Sequence, residues 1–183
     1  MLHGVDVSAY QPSYDTDGLD FVLIKATEGR TYVNPRLDAQ VKRARDAECV
    51  VGFYHFLWPG DVADQVAYFL EKAPAKAGDL LAVDWEQTGA QTRASSAEKD
   101  RFLREVKRKR PGHRVLLYCN RQFWRGHDTS GYAGDGLWIA DYVSAGAPRI
   151  EASWRIHQYT DDPLDRNVAD FASLRALRDW AAG

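Results

Sequence analysis

Short apolar runs recur along this chain, and the stretches between them carry helical periodicity. Gly4 to Val7, Phe21 to Ala26, Val50 to Phe56, Leu80 to Glu86 and Arg114 to Cys119 read as strands, with weaker candidates at Leu137 to Asp141 and Trp154 to Gln158. Helices are predicted between them. Asn34-Pro35 offers a cap and a first-turn proline ahead of Leu37, Val41 and Ala44. Asp61 precedes Val62, Val66, Phe69 and Leu70, and Ser95 with Glu98 forms a capping box before Phe102, Leu103 and Val106. Phe171, Leu174, Leu177 and Ala181 close the chain at helical spacing. Strands alternating with helices make a parallel sheet covered by helices. After Cys119 the helical patterns thin out. The expected fold is a β/α barrel, complete in its first half and abbreviated in its second. With 183 residues the chain is shorter than the ~250 typical of eight full units. No linker, repeat or low-complexity segment divides it, so residues 1–183 are expected to form one domain.

Composition narrows the function classes. The net charge of −2 gives no global case for nucleic acid, and the one dense basic run, Lys107 to Arg110, reads as a solvated helix end that complements the macrodipole. Two cysteines, Cys49 and Cys119, make no disulfide scaffold and are expected as buried thiols. No segment approaches the ~18 apolar residues of a membrane span. The start, MLHGVDVSAYQ, lacks the basic and apolar blocks of a secretory signal. The five histidines show no ligand spacing, and His55 and His157 are expected as packing residues.

In a β/α barrel, chemistry sits at the carboxyl ends of the strands, and here those ends are acidic. The first carries Asp6, the fourth Asp84 and Glu86, the sixth Asp141, and a late loop supplies Asp165 and Asn167. Alternation along a strand puts Asp84 and Glu86 on one face and Trp85 on the other, toward the helix layer. Crowded carboxylates are costly for stability, because each raises the other's pKa, but useful for acid–base work. Glycoside hydrolysis needs such a pair: one acid to protonate the leaving oxygen and one carboxylate to support the oxocarbenium-like centre.

Tyr54, on the inner face with Gly52 and Phe56, is expected near the carboxylates, either bonded to substrate or acid or packed. Trp58, just past a strand end, is the candidate sugar platform, with core packing as the alternative. Lys25 stands among apolar residues and requires a partner oxygen, and Glu28 reads as a tie at the strand end.

GVDVSAYQ, DFVLIKATEGRTYVNP, GFYHFLWPG, LLAVDWE, LYCNRQFW, LWIADY and WRIHQYTDDPLDRN, in that order over nearly the whole chain, resemble the family 25 glycoside hydrolases, the Chalaropsis-type lysozymes common among phage endolysins. The resemblance implies a flattened β/α barrel with an incomplete set of helices. It also implies hydrolysis of the β-1,4 bond between N-acetylmuramic acid and N-acetylglucosamine in bacterial peptidoglycan. By motif, Glu86 matches the general acid/base. Asp84 matches the carboxylate that either assists the substrate's acetamido group or attacks as a nucleophile, and two groups two residues apart on one strand favour assistance. Asp6 and Asp165 match the residues that tune the pair and hold substrate. Tyr54, Trp58, Tyr118, Asp141 and Gln158 are the expected substrate contacts. The expectation is a monomer that needs no cofactor or metal and neither binds nucleic acid nor inserts into a membrane. It would act on the cell wall, held in the cytoplasm until release if endolysin-like, or secreted if the natural chain is longer. The segment between Gln11 and Asp20 is short, which predicts a more open rim near Asp6.

Two rivals stand beside this reading. The acids could bind a divalent cation for phosphoester hydrolysis, although no glycine-rich phosphate cradle accompanies them. Alternatively, the fold could bind wall carbohydrate without cutting it.

Overall fold

A computed structural model describes residues 1–183. Eight strands close into a barrel: β1 (Leu2–Val7), β2 (Phe21–Glu28), β4 (Val50–Phe56), β5 (Leu80–Asp84), β6 (Val115–Asn120), β7 (Gly136–Ala140), β8 (Ile156–Thr160) and β9 (Arg166–Ala169). Barrel neighbours from β1 through β8 are parallel, while β9 runs antiparallel to both β8 and β1 and closes the ring. A two-residue strand, β3 (Tyr32–Val33), hangs on the edge of β2. The first half carries the expected helices α1 (Leu37–Asp46), α2 (Val62–Lys72) and α3 (Ser96–Lys109). The second half has only the short α4 (Arg121–Gly126) and no helix between β7 and β8, and α5 (Leu174–Ala181) ends the chain. The barrel is irregular in the half where the helical patterns thin out.

Two apolar layers hold it together. Outward-facing residues such as Val22, Ile24, Val51, Phe53, Leu81, Val83 and Trp85 pack against Val66, Phe69, Phe102 and Leu103 of the helices. Trp85 is fully buried there, its Nε1 donating to the Ala94 carbonyl at 2.8 Å, as strand alternation predicts. Inward-facing Phe21, Leu23, Leu80, Ala82, Leu116, Trp138 and Ile156 fill the barrel. Leu177 and Ala181 of α5 join this second layer, so α5 plugs the amino ends of the strands. Arg178 donates to the Glu48 carbonyl just before β4, and Arg114, just before β6, donates to the Trp180 carbonyl. Each fully buried side chain of this size contributes about 1.5–3 kcal/mol. Both cysteines are free and buried, Cys49 just before β4 and Cys119 within β6.

Helix starts differ from expectation in detail. The Ser95–Glu98 capping box forms with both reciprocal bonds. Asp61, by contrast, caps nothing: it adopts a left-handed φ of 47° and pairs with Arg30 at 3.1 Å. The first helix starts at Leu37, two residues past Pro35. Asn34 still anchors its entry, accepting from the Arg36 amide and donating to Gln40 Oε1 and the Lys25 carbonyl. Strand β5 ends at Asp84 rather than Glu86, although Trp85 N still donates to Tyr118 O and keeps the chain extended. Strand β9 falls where the sequence predicts a loop, because its residues, Arg-Asn-Val-Ala, are too short and polar a run to show alternation.

Candidate active site

The barrel interior changes character along its length. Its lower layers are apolar, but above Trp138 the inward positions carry Asp6, Lys25, Tyr54, Asp84, Tyr118, Gln158 and Asn167. The parallel register sets this level: Asp6 pairs with Leu23, Lys25 with Tyr54 and Asp84 with Tyr118.

Asp6 is almost fully buried. Its Oδ2 accepts from Gln158 Nε2 at 2.8 Å and Asn167 Nδ2 at 2.7 Å, and its backbone N–H donates to Asp165 O at 3.1 Å. Burial, reinforced by the charge of Asp165, pushes the Asp6 carboxyl up to about 8. Asp165, half-buried just before β9, rises to about 6, through burial and then the charge of Asp161.

Asp84 and Glu86 form the second pair. Asp84 is buried, and its Oδ1 meets no donor. Burial and then the Glu86 charge raise its pKa well above the usual carboxylate range. Glu86 is also raised by burial, while a hydrogen bond from Asp84 and the charge of Lys25 act to lower it. Burial and mutual repulsion make double ionisation of this pair costly, which favours one proton between the two carboxyls. Lys25 supplies the opposite charge that acts to lower both. It is anchored by Glu28 at 2.6 Å, and Glu28 in turn accepts from Trp58 Nε1 at 2.9 Å.

The structure gathers Asp6, Asp84, Glu86 and Asp165 into one cluster, with Tyr54, Tyr118 and Gln158 beside them. Tyr54 donates to the Val7 carbonyl at 3.4 Å and packs edge-on against Trp138. Burial and the Asp6 charge raise its phenol well above the ordinary value. Trp58 is half-buried over Gly29 and lines a cavity of about 480 Å³ with Glu28, Tyr32 and Asp61. Asp141 is different. Both its oxygens bind Arg149, at 2.6 and 3.0 Å, and those bonds hold its carboxyl down to about 2. What the rim offers beside Asp141 is therefore a guanidinium. His55 sits in the outer layer between Thr27 and Gln65, and His157 bonds the Asp141 carbonyl, so both serve packing.

Sequence reading misses Trp138 and Asn167 as organisers of Asp6, and Arg121, Arg149 and Tyr142 as rim residues. It also passes over Tyr10, 91% exposed in the loop after β1. Only the position of Tyr10 past a strand end could flag it. No three His, Cys, Asp or Glu side chains are arranged to hold a metal ion.

Such a cluster can deliver one proton to a leaving oxygen and keep one carboxylate beside the reacting carbon. The sequence model of the glycosyl hydrolases of family 25 matches residues 5–168. The autolytic lysozyme of Clostridium acetobutylicum is 29% identical over 180 residues, covering 94% of this chain and 55% of that protein. This chain thus spans about half that relative's length. The N,O-diacetylmuramidase of a Chalaropsis species is 28% identical over 176 residues, 84% of this chain and 83% of that one. The family GH25 lysozyme structure from Aspergillus fumigatus superposes with a TM-score of 0.85 at 25% identity, covering 100% of this chain and 99% of that one.

Proposed function

The chain belongs to the glycosyl hydrolases of family 25, and on that premise we propose that it is a muramidase, hydrolysing the β-1,4 bond between N-acetylmuramic acid and N-acetylglucosamine in peptidoglycan. The observation that carries this reading is the placement of Asp84 and Glu86 at the carboxyl end of β5, in one cluster with the buried Asp6 and the half-buried Asp165.

The chemistry follows from moving one proton between this pair, and it starts on Asp84, the more deeply buried of the two. An acetamido N–H of the substrate that donates to Asp84 stabilises the ionised form of that carboxylate. The proton then passes to Glu86, which becomes the acid. Glu86 protonates the glycosidic oxygen as the bond to the anomeric carbon breaks. The acetamido oxygen, its N–H held by Asp84, attacks that carbon and closes an oxazolinium ring. Water, deprotonated by Glu86, then opens the ring and restores the proton. Asp6, neutral at pH 7, adds no charge to repel Asp84, and Asp165 closes the cluster near the bound sugar. Tyr54, Tyr118, Gln158 and Trp58 are the proposed substrate contacts, and Asp141 acts through Arg149. The chain is proposed to act as a monomer on the bacterial wall.

The test is mass spectrometry of purified peptidoglycan digested with the protein, with and without EDTA. New reducing ends on N-acetylmuramic acid, unaffected by chelator, are expected. Intact glycan would favour a binding barrel, and cleavage abolished by EDTA a metal-dependent enzyme.

A further inference from the structure

The cavity next to Glu86 is lined by a guanidinium to which the acid chemistry above gives no role. It measures about 340 Å³ and lies at the carboxyl ends of β6 and β7, walled by Glu86, Tyr118, Tyr142, Arg121 and Arg149. Arg149 is neutralised by Asp141 at 2.6 Å. Arg121 is not neutralised. Its Nε donates to the Arg149 carbonyl at 2.9 Å, which fixes the guanidinium against the loop without supplying a counter-charge. Two guanidiniums and two carboxyls, Asp141 and Glu86, line this cavity, and Arg121 is the guanidinium that has no ion-pair partner.

The side chain of Arg121 makes no hydrogen bond or ion pair to Asp84 or Glu86; its one hydrogen bond is to the Arg149 carbonyl. A half-buried arginine held in place, unpaired and facing a cavity is suited to a planar anion, which it can grip through two parallel N–H bonds.

We propose that this cavity receives a carboxylate borne on the lactyl arm of the muramoyl residue, with Arg121 as its specificity-determining partner. The inference rests on the muramidase reading and deepens it. In an alternating polymer cut after N-acetylmuramic acid, only one of the two sugars flanking the broken bond has a lactyl arm. A cavity that touches Glu86 lies within one sugar of that bond, so an anion reaching it comes from that arm. It is either the free lactyl carboxylate of stem-free glycan or a carboxylate early in the peptide stem.

The test compares wild type, Arg121→Gln and Arg121→Lys on three forms of one peptidoglycan: intact, freed of stems by an amidase, and carbodiimide-amidated so that its carboxylates are neutral. Arg121→Gln is expected to lower kcat/KM about 10- to 100-fold on the anionic forms, mainly through KM. Arg121→Lys is expected to recover part of that loss. On the amidated glycan the difference should vanish, because wild type itself falls. A larger loss on stem-free glycan identifies the lactyl carboxylate as the partner, and a larger loss on intact wall identifies the stem. An equal loss on all three forms, or none, would overturn the proposal. If wild type cut none of them, the muramidase reading would fail instead.

Discussion

Gln158 Nε2 lies 2.8 Å from Asp6 Oδ2, joining the eighth strand to the first across the closure of the barrel. The amide has no freedom to turn over, because its Oε1 accepts from the hydroxyls of Tyr118 at 3.0 Å and Tyr142 at 3.2 Å. Asn167 repeats the device: its Oδ1 accepts the indole N–H of Trp138, which can only donate, and its Nδ2 is turned to Asp6. Both amides address the same oxygen, Oδ2, which leaves Oδ1 to carry the proton that burial favours.

Asp6→Asn should therefore mimic the native neutral acid. The folded pKa of Asp6, about 8, lies above its ordinary value of 3.8, so the group stabilises the fold fully at low pH and loses that contribution as pH rises through about 8. Asp165 adds a similar loss through about 6. Wild-type Tm should decline between about pH 4 and 8, and Asp6→Asn should flatten the part above about pH 6, where Asp165 no longer contributes, by about 1 kcal/mol or more. Thermal melts across that range would show it. A parallel decline in the variant would mean that Asp6 is ionised in the fold.

Glu86→Gln and Asp84→Asn should each lower kcat by about 100-fold or more, the range for loss of a general acid or its partner. The amide that Asp84→Asn introduces can still donate to Glu86 but has no transferable proton, so it locks Glu86 in its ionised form. Glu86→Gln removes the acid while preserving shape, and retained binding to insoluble wall would separate lost chemistry from lost fold. Turnover of released reducing ends is the measurement. Near-native activity in Glu86→Gln would place the proton donor elsewhere.

Lys25→Met should move the pH–activity curve toward alkali. The ammonium lowers the pKa of both Asp84 and Glu86, so its removal raises both and shifts each limb of the bell in the same direction. A displacement of about half a unit to one unit is expected for a charge at this partly screened site. Glu28→Gln, which keeps Lys25 but loosens its 2.6 Å anchor, should shift the curve less. An unmoved curve in Lys25→Met would show that solvent already screens the ammonium from the pair.

How much of this is legible in the sequence depends on range. Asp84 and Glu86 announce themselves because strand alternation is local and period two survives in any context. The capping box at Ser95 is legible for the same reason. Asp6 is legible as an acid at a strand end, but its two amide donors lie more than 150 residues away, and no spacing rule joins positions 6, 158 and 167. The engagement of Asp141 by Arg149 is hidden because the loop between them has no regular structure from which to infer direction. Asp61 fails as a cap because a left-handed backbone turns its carboxylate toward Arg30, a tertiary choice that local preference does not record.

Gly52 shows how the apolar floor governs the acids above it, and its substitution is the last prediction. Its inward position leaves no room: a Cβ there would overlap Leu23 Cδ2 and lie 3.2 Å from Leu80 Cβ, both in the filled layer of the barrel. Gly52→Ala should cost about 1–3 kcal/mol through overpacking, lowering Tm by several degrees. Tyr54 is the next inward residue on β4, and β4 pairs with β5 from Gly52–Leu80 up to Phe56–Asp84. A strand pushed outward at Gly52 therefore shifts Tyr54 and Asp84 relative to Glu86, and kcat should fall even well below the melting range. Gly89→Ala, where a Cβ meets nothing within 4 Å, is the control and should leave both quantities unchanged. If Gly52→Ala lost stability but kept full kcat, the floor and the acid layer would be mechanically independent.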